Sequence, residues 1–289
     1  MVTEIRSLID EGAARLRRVA DDPRHEAEIL LGAALGRTRS FLIAHADEPV
    51  LDCEATDRYE SHVTRRSHGE PIAYIVGEKE FWSLPLLVGP DVLVPRPETE
   101  LVVERALVHL PEGTRGRVLD LAAGSGAIAL AIARERPLCT IVGTDVSAAA
   151  VAIARENATR LGLANVELRA GSWFAPVAGQ WFDLVASNPP YIAEGDPRVE
   201  PAVRRYEPHV ALFAGSSGLE ALQEIVACAP AHLTPGGWLV VEHGNTQGSA
   251  VRALLDAAGF DSIATHRDLA DRERCTEGRR KGAPAVRRA

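Results

Sequence analysis

The chain has 289 residues, of which 46% are hydrophobic, 25% charged and 5% aromatic. This composition excludes a fibrous repeat and a globally disordered chain, and at ~150 residues per domain the length predicts two domains. The formal net charge of −8 argues against a protein that holds duplex nucleic acid mainly through its overall field.

Cysteine and histidine usage gives no sign of a disulfide framework or a metal site. The four cysteines lie far apart without a C-x-x-C pair, and the nine histidines form no H-E-x-x-H pair. We therefore expect reduced thiols in the cytoplasm and no bound metal. The start of the chain carries early charges, and no stretch approaches ~18 uncharged apolar residues, so we expect neither secretion nor a membrane span.

The first 70 residues carry helical patterns. Asp22 and Pro23 are typical of a helix start, and the apolar residues that follow recur at the spacing of one buried helix face. A looser apolar stripe precedes this helix, and another helix is expected from about Cys53 to Arg66. We interpret residues 1–70 as a small helical domain.

Residues 71–97 have a different character. Bulky and β-branched residues at 81–88, with prolines nearby, favour a short hairpin over a helix. A helix is then opened by the string V-P-R-P-E-T-E at 94–100, in which the prolines stiffen the entry and the glutamates suit the positive end of the helix dipole. We expect residues 71–97 to link two domains.

From residue 117 onward, short apolar runs alternate with helical patterns, which is typical of βαβ units in a doubly wound, mostly parallel sheet. We assign residues 98–282 to this α/β domain and residues 283–289 to a basic tail. The predicted strands lie at 117–121, 140–144, 166–169, 182–187, 238–242 and 262–265. The predicted helices lie at 128–135, 148–161 and 219–229.

The first of these strands leads into a turn of small residues, which are Ala122, Ala123, Gly124, Ser125 and Gly126. Such a turn lets backbone N–H groups approach a ligand closely. Asp145 ends the next strand 19 positions (145 − 126) further on, about where an acidic residue meets ribose hydroxyls in doubly wound folds. The turn lacks the full G-x-G-x-x-G spacing, which makes a dehydrogenase the weaker interpretation. With Asp120 before it, the turn resembles that of S-adenosylmethionine-dependent methyltransferases.

The fourth predicted strand delivers Asn188, Pro189, Pro190 and Tyr191, here called the tetrad. Each proline pushes the residue before it into an extended conformation, so the backbone is stiff where the strand ends. The Asn188 side-chain oxygen and the Pro189 carbonyl can accept both hydrogens of one NH2 group, and Tyr191 offers a flat face. The tetrad indicates methyl transfer to a planar nitrogen of adenine, guanine or a glutamine side chain. We expect Asn188 to orient this nitrogen, without a strong base or a covalent intermediate.

The chain as a whole resembles the peptide-chain release factor glutamine methyltransferases of the PrmC/HemK type. The resemblance rests on A-E-I-L-L at 27–31, G-E-P-I-A-Y at 69–74, E-F-W at 80–82, the 94–100 string, S-N-P-P-Y at 187–191, E-P at 207–208 and R-D at 267–268. It implies a seven-stranded Rossmann-like methyltransferase sheet, S-adenosyl-L-methionine as cofactor, and methylation of the glutamine in the Gly-Gly-Gln loop of bacterial release factors.

The same resemblance implies roles for individual residues. The small-residue turn, Asp145, Trp173 and Asn188 would hold the cofactor, and the tetrad would bind the glutamine amide, with Asn188, Pro189 and Tyr191 as catalytic residues. The helical domain would help to dock the release factor. Two residues depart from the family pattern. Ala122 replaces a glycine, which is tolerable only if its φ is negative and the ligand stands slightly off. Ser172 stands where an aspartate often lies beside the adenine, so we expect weakened but not lost cofactor binding.

Three other functions stay open. A sister enzyme modifies a glutamine of a large-subunit ribosomal protein, although its string after the hairpin usually departs from R-P-E-T-E. A nucleic-acid amino-methyltransferase would need a basic groove, which the net charge disfavours. A non-catalytic cofactor-binding module would have no use for the two aimed acceptors. We expect a monomer whose partner is a release factor, with no nucleic-acid or membrane partner.

Overall fold

The computed structural model describes residues 3–282 of the chain, which form two compact units. The first unit comprises the residues up to Glu78 together with Glu200–Tyr206, and the second comprises Lys79–Val199 and the described residues from Glu207 onward. The predicted basic tail at 283–289 lies outside the described residues. None of the described helices combines the length and the apolar character needed to cross a bilayer.

The first unit is a helical bundle around one apolar core. Its elements up to Val76 are β1 (Thr3–Glu4), α1 (Ile5–Leu16), α2 (Pro23–Leu35), α3 (Arg39–Ala44), β2 (Pro49–Val50), α4 (Cys53–Ser67) and α5 (Ile72–Val76). The predicted start of α2 is confirmed, because Asp22 Oδ1 accepts a hydrogen bond from the His25 N–H at 3.0 Å. The buried Tyr59 hydroxyl donates to the Leu8 carbonyl at 2.9 Å and so fastens α4 to α1.

The remaining elements follow in chain order, and all but α9, which is part of the first unit, belong wholly or mainly to the second. They are β3 (Glu78–Phe81), β4 (Leu84–Leu87), a 3-10 turn (Pro97–Thr99), α6 (Glu100–His109), β5 (Arg117–Leu121), α7 (Ala127–Glu135), β6 (Thr140–Asp145), α8 (Ala148–Arg160), β7 (Val166–Ala170), a second 3-10 turn (Ala175–Val177), β8 (Phe182–Ser187), α9 (Pro201–Tyr206), α10 (His209–Leu212), α11 (Glu220–His232), β9 (Leu233–Glu242), α12 (Gly248–Ala257), β10 (Phe260–Arg267) and β11 (Glu273–Arg280). The predicted hairpin is present as β3 and β4.

Seven strands form the sheet of the second unit, in the order β10-β11-β9-β8-β5-β6-β7. The strands from β5 to β9 run parallel, and β11 pairs antiparallel with both of its neighbours. Apolar cores cover the two faces of the sheet. The chain order reverses between β5 and β8, and ligands of doubly wound sheets bind outside the carboxyl ends of strands at such a point.

The six strands predicted individually are present, whereas the seventh, β11, was missed. Its sequence, E-R-C-T-E-G-R-R, is polar and shows no apolar alternation. It is nevertheless buried at 275–278, where Glu277 forms an ion pair with Arg105 and the Thr276 hydroxyl hydrogen-bonds to His243 and Thr265. Sequence reasoning also missed α12 and the short helices α3, α5, α9 and α10, and it placed the start of β9 at 238 instead of Leu233.

Candidate functional site

The small-residue turn and the tetrad lie side by side at the carboxyl edge of the sheet. Leu121 is opposite Ser187 in the parallel register of β5 and β8, so the two segments leave neighbouring strands at the same level. A cavity of about 400 Å³ opens there, within the ~300–1,000 Å³ typical of small-molecule sites. The predicted site residues that line it are Ala122, Gly124, Ser125, Asp145, Trp173, Asn188 and Pro190. The predicted residues that do not line it are Ala123, Gly126, Pro189 and Tyr191.

The turn bends by placing every second residue in the left-handed region. The φ angles are 57° at Ala122, 55° at Gly124 and 86° at Gly126. The positive φ at Gly126 favours glycine, and a Cβ there would also lie only 3.0 Å from the Leu130 side chain. The expectation of a negative φ at Ala122 was wrong. The left-handed conformation of an alanine costs about 1 kcal/mol, and it is stabilised by the surrounding turn.

Asp145 connects the turn to the next strand. Its Oδ2 accepts from the Gly124 N–H at 2.9 Å, and its Oδ1 accepts from the Ser147 N–H at 2.8 Å. Burial raises the pKa of the Asp145 carboxyl, and these two hydrogen bonds act in the opposite direction. Each carboxylate oxygen keeps a further lone pair, so this side chain at the cavity wall can still accept ligand hydroxyls.

Asp120 lies below the turn, fully buried at the end of β5. Its Oδ2 accepts from the Ala129 N–H at 3.0 Å, which ties the strand to the first turn of α7. Its Oδ1 has no hydrogen-bond partner among residues 3–282. Burial, with a smaller contribution from the nearby Asp145 charge, raises the pKa of Asp120 to about 8.

The opposite wall of the cavity is largely apolar. Trp173 lines it, and the Thr144 hydroxyl donates to the Trp173 carbonyl at 2.9 Å and so fixes that backbone. Val146 and Val210 line the cavity although their side chains are 60% and 56% exposed. The Asp145 carboxylate can accept hydroxyl groups and the apolar side chains can pack on a planar base, which fits a nucleoside-containing cofactor such as S-adenosylmethionine.

Hydrogen bonds hold both ends of the tetrad. Asn188 Nδ2 donates to Thr99 Oγ1 at 3.0 Å, which leaves its Oδ1 available at the cavity. The Tyr191 hydroxyl donates to Glu242 Oε1 at 3.1 Å, and no described residue donates to the Pro189 carbonyl. The two acceptors expected from the sequence are therefore unoccupied by partners from residues 3–282.

Sequence reasoning missed the side chains that support the tetrad. Thr99 and Glu242 were not singled out, although Glu242 follows an apolar run at the carboxyl end of a strand, which is where site residues are expected. The 94–100 string is held by Glu207, which accepts from the Val94 N–H at 3.2 Å and forms an ion pair with Arg96. The E-P motif at 207–208 was recognised from the sequence, but its contact with the 94–100 string was not.

Comparison with known proteins gives sequence relatives and a shared fold. A model of the PrmC N-terminal domain matches residues 7–77, and a model of the methyltransferase small domain matches residues 99–204. The chain is 47% identical to a release factor glutamine methyltransferase of Xylella fastidiosa, over 96% of this chain and 98% of that protein. It is 48% identical to one of Pseudomonas aeruginosa, over 90% and 95%. A solved methyltransferase from Pyrococcus furiosus, 19% identical, matches 78% of this chain and 98% of its own with a TM-score of 0.53, which shows the fold alone.

Proposed function

The chain belongs to the family of release factor glutamine methyltransferases, and we propose that it methylates the side-chain amide nitrogen of a glutamine in bacterial peptide-chain release factors. The methyl donor is S-adenosyl-L-methionine, and the target is the glutamine of the Gly-Gly-Gln loop. The observation that carries the proposal is the register of β5 and β8, which brings the turn and the tetrad to one cavity. We propose the cytoplasm, where translation terminates, as its site of action.

The turn and the wall of the cavity bind the cofactor in this proposal. Asp145 accepts the ribose hydroxyls, the turn at 122–126 passes the methionine portion, and Trp173 packs on the adenine. When bound, the cofactor supplies an electrophilic methyl group on a sulfonium. The apolar side chains that line the cavity would limit the access of water to this methyl group.

Asp145→Ala tests the cofactor assignment. The variant loses the acceptor of the ribose hydroxyls and also releases the Gly124 N–H, so we expect cofactor affinity to fall at least roughly 10-fold. Titration calorimetry with S-adenosylmethionine measures this affinity. An unchanged affinity in a folded variant would refute the assignment to the ribose.

The tetrad binds and orients the glutamine amide. The lone pair of an amide nitrogen is delocalised, so this nitrogen is a poor nucleophile. The Asn188 Oδ1 and the Pro189 carbonyl accept its two N–H bonds and direct the nitrogen into the cavity, while Tyr191 holds the far end of the tetrad. Fixed orientation and exclusion of water contribute several kcal/mol to such a step. No strong base is needed, because the proton becomes acidic only as the N–C bond forms.

The two units divide the work in our proposal. Residues 1–70, which belong to the helical unit, dock the release factor, residues 98–282 carry out the methyl transfer, and residues 71–97 run between these two parts of the sequence. We propose that the chain acts as a monomer and that neither a nucleic acid nor a membrane takes part.

Mass spectrometry tests the proposed function directly. Release factor incubated with the protein and S-adenosylmethionine should gain one methyl group, on the loop glutamine. A release factor with Gln→Ala in the loop should gain none, and neither should wild-type release factor incubated with the Asn188→Ala variant. A methyl group at another position of the release factor would contradict the proposal, and so would methylation of a large-subunit ribosomal protein, but not of release factor, in a parallel reaction.

A further inference from the structure

The Asn188 side chain is useful in only one of its two amide orientations. With Oδ1 toward the cavity it accepts an N–H of the substrate amide. After a half-turn its own NH2 would face the substrate NH2, and two donors form no hydrogen bond. Thr99 Oγ1 accepts from Asn188 Nδ2 at 3.0 Å in the useful orientation. A hydroxyl alone does not enforce this orientation, because it can also donate to an amide oxygen.

A buried carboxylate lies next to this hydroxyl. Glu242 is 1% exposed, and its Oε1 accepts from the Tyr191 hydroxyl at 3.1 Å. Its Oε2 is a buried acceptor without a partner in the described part of the chain. The Thr99 hydroxyl is near enough to stabilise the ionised form, since it lowers the pKa of Glu242. A carboxylate only accepts hydrogen bonds, so ionised Glu242 can receive one from the Thr99 hydroxyl, and a lone pair of Thr99 Oγ1 then remains for Asn188.

We propose that Thr99 and Glu242 are positioning residues for the methyl transfer, in which the Glu242 carboxylate accepts a hydrogen bond from the Thr99 hydroxyl and thereby fixes the Asn188 amide with its oxygen toward the substrate nitrogen. This inference rests on the proposed function, since the orientation matters only if a substrate NH2 enters the cavity. The same carboxylate holds Tyr191. Both ends of the tetrad are thus fastened to one buried acid, with Pro189 and Pro190 between them.

The charge state of Glu242 then controls the orientation. The pKa of Glu242 is raised to about 7, mainly by burial and slightly by the charge of Glu98. The Thr99 and Tyr191 hydroxyls and the positive charge of Arg274 act in the opposite direction. The charge of Glu242 in turn contributes to the raised pKa of the buried Cys275 thiol. Protonated Glu242 can donate to Thr99 Oγ1, which frees the Thr99 proton for Asn188 Oδ1 and favours the wrong orientation. The rate of methyl transfer should therefore rise with pH through the pKa of Glu242.

Three substitutions separate positioning from mere packing. Thr99→Val keeps the shape and removes the hydroxyl, Thr99→Ser restores a hydroxyl, and Glu242→Gln removes the ionisable acceptor. Thr234→Val is the matched control, because that hydroxyl donates to Asp183 at 3.0 Å at the amino edge of the sheet. We expect Thr99→Val to lower kcat by roughly 10- to 100-fold, with the affinity for S-adenosylmethionine nearly unchanged. Thr99→Ser should recover most of the rate, and Thr234→Val should keep the wild-type rate.

The pH profile of kcat and an NMR signal of the Asn188 amide would not change if Thr99 and Glu242 only supported the packing. Glu242→Gln should flatten the rise of kcat with pH. In 15N-edited NMR of the protein without substrate, the hydrogen-bonded Asn188 amide proton should lose its downfield shift in Thr99→Val and in Glu242→Gln, but not in Thr99→Ser. Should Thr99→Val fail to fold, the same two measurements on Glu242→Gln and on the wild type test the proposal.

The proposal is overturned if folded Thr99→Val turns over at the wild-type rate, or if the Asn188 amide signal is the same in all variants. A wild-type protein that transfers no methyl group to release factor would instead overturn the proposed function. In that case the Asn188 signal would still show whether Thr99 and Glu242 fix the orientation of the Asn188 side-chain amide.

Discussion

Ala122 is the only one of the three left-handed residues of the turn that carries a side chain, and its methyl group lines the cavity. Ala122→Gly relieves about 1 kcal/mol of backbone strain, but it also gives the unfolded chain more freedom, by about 0.4–1 kcal/mol. We expect little change in the free energy of unfolding and a several-fold gain in cofactor affinity, because the ligand can approach the backbone more closely. Calorimetry and urea denaturation measure the two quantities.

Ala123→Gly is the matched control for this substitution. Ala123 is buried, and its φ is not in the left-handed region, so glycine there should only destabilise the protein, by about 1 kcal/mol. A loss of cofactor affinity in Ala122→Gly would show that the methyl group makes a favourable contact with the ligand.

Asp120 should make the stability of the protein depend on pH. Its folded-state pKa is raised to about 8 by burial, so between the unfolded value near 4 and about 8 the folded state binds more protons than the unfolded state. The free energy of unfolding then falls as pH rises, by at most about 1.4 kcal/mol per pH unit from this group. In Asp120→Asn the fall should be smaller. Urea denaturation at about pH 6 and pH 8 gives the change in the free energy of unfolding with pH for the wild type and for Asp120→Asn. Equal changes in the two proteins would contradict the raised pKa of Asp120.

At the scale of single elements, the strand that sequence reasoning missed is held by a buried ion cluster. Glu277 of β11 is 4% exposed and accepts two hydrogen bonds from Arg105 of α6, both at 3.0 Å. It also lies 3.0 Å from His109 Nε2 and 3.2 Å from His266 Nε2. Burial would raise the pKa of Glu277, but the bonds from His109 and Arg105 lower it to about 2.

Glu277→Gln leaves the Arg105 guanidinium without its carboxylate. Breaking a buried pair from one side costs about 3 kcal/mol, so we expect a loss of this order in the free energy of unfolding, measured by chemical denaturation. The double variant with Arg105→Met should recover much of the loss, because no unpaired charge remains. A double variant as unstable as the sum of both single variants would contradict the ion-pair explanation.

These elements show what the sequence can and cannot predict. The parallel strands were predictable because most of them carry apolar runs bounded by turn signals, and the turn and the tetrad were predictable because they follow such runs. The strand β11 was not, since its burial depends on charged partners far away in sequence. The same holds in the site, where Asn188 was found by its motif but Thr99, 89 residues earlier, became its partner only through the fold.

At the scale of the whole chain, the polypeptide returns to the first unit after it has entered the second, and this determines how the docking proposal can be tested. The segment Glu200–Tyr206 belongs to the first unit, where the Tyr206 hydroxyl donates to the His68 carbonyl at 3.1 Å. Deleting the first ~70 residues would therefore remove what α9 packs on and disturb the chain that follows the tetrad. Substitutions at exposed positions of the first unit avoid this side effect.

Ile43 and Leu51 are the large apolar residues most exposed in the first unit as described, at 59% and 75%. If the helical unit docks the release factor, Ile43→Asp and Leu51→Asp should raise the KM for folded release factor several-fold, because each charge opposes desolvation of the interface. The KM for a Gly-Gly-Gln peptide and both kcat values should not change. Leu138→Asp, 47% exposed just before β6 in the second unit, is the matched control. Equal effects on protein and peptide would place the loss in the cavity and refute docking through the helical unit.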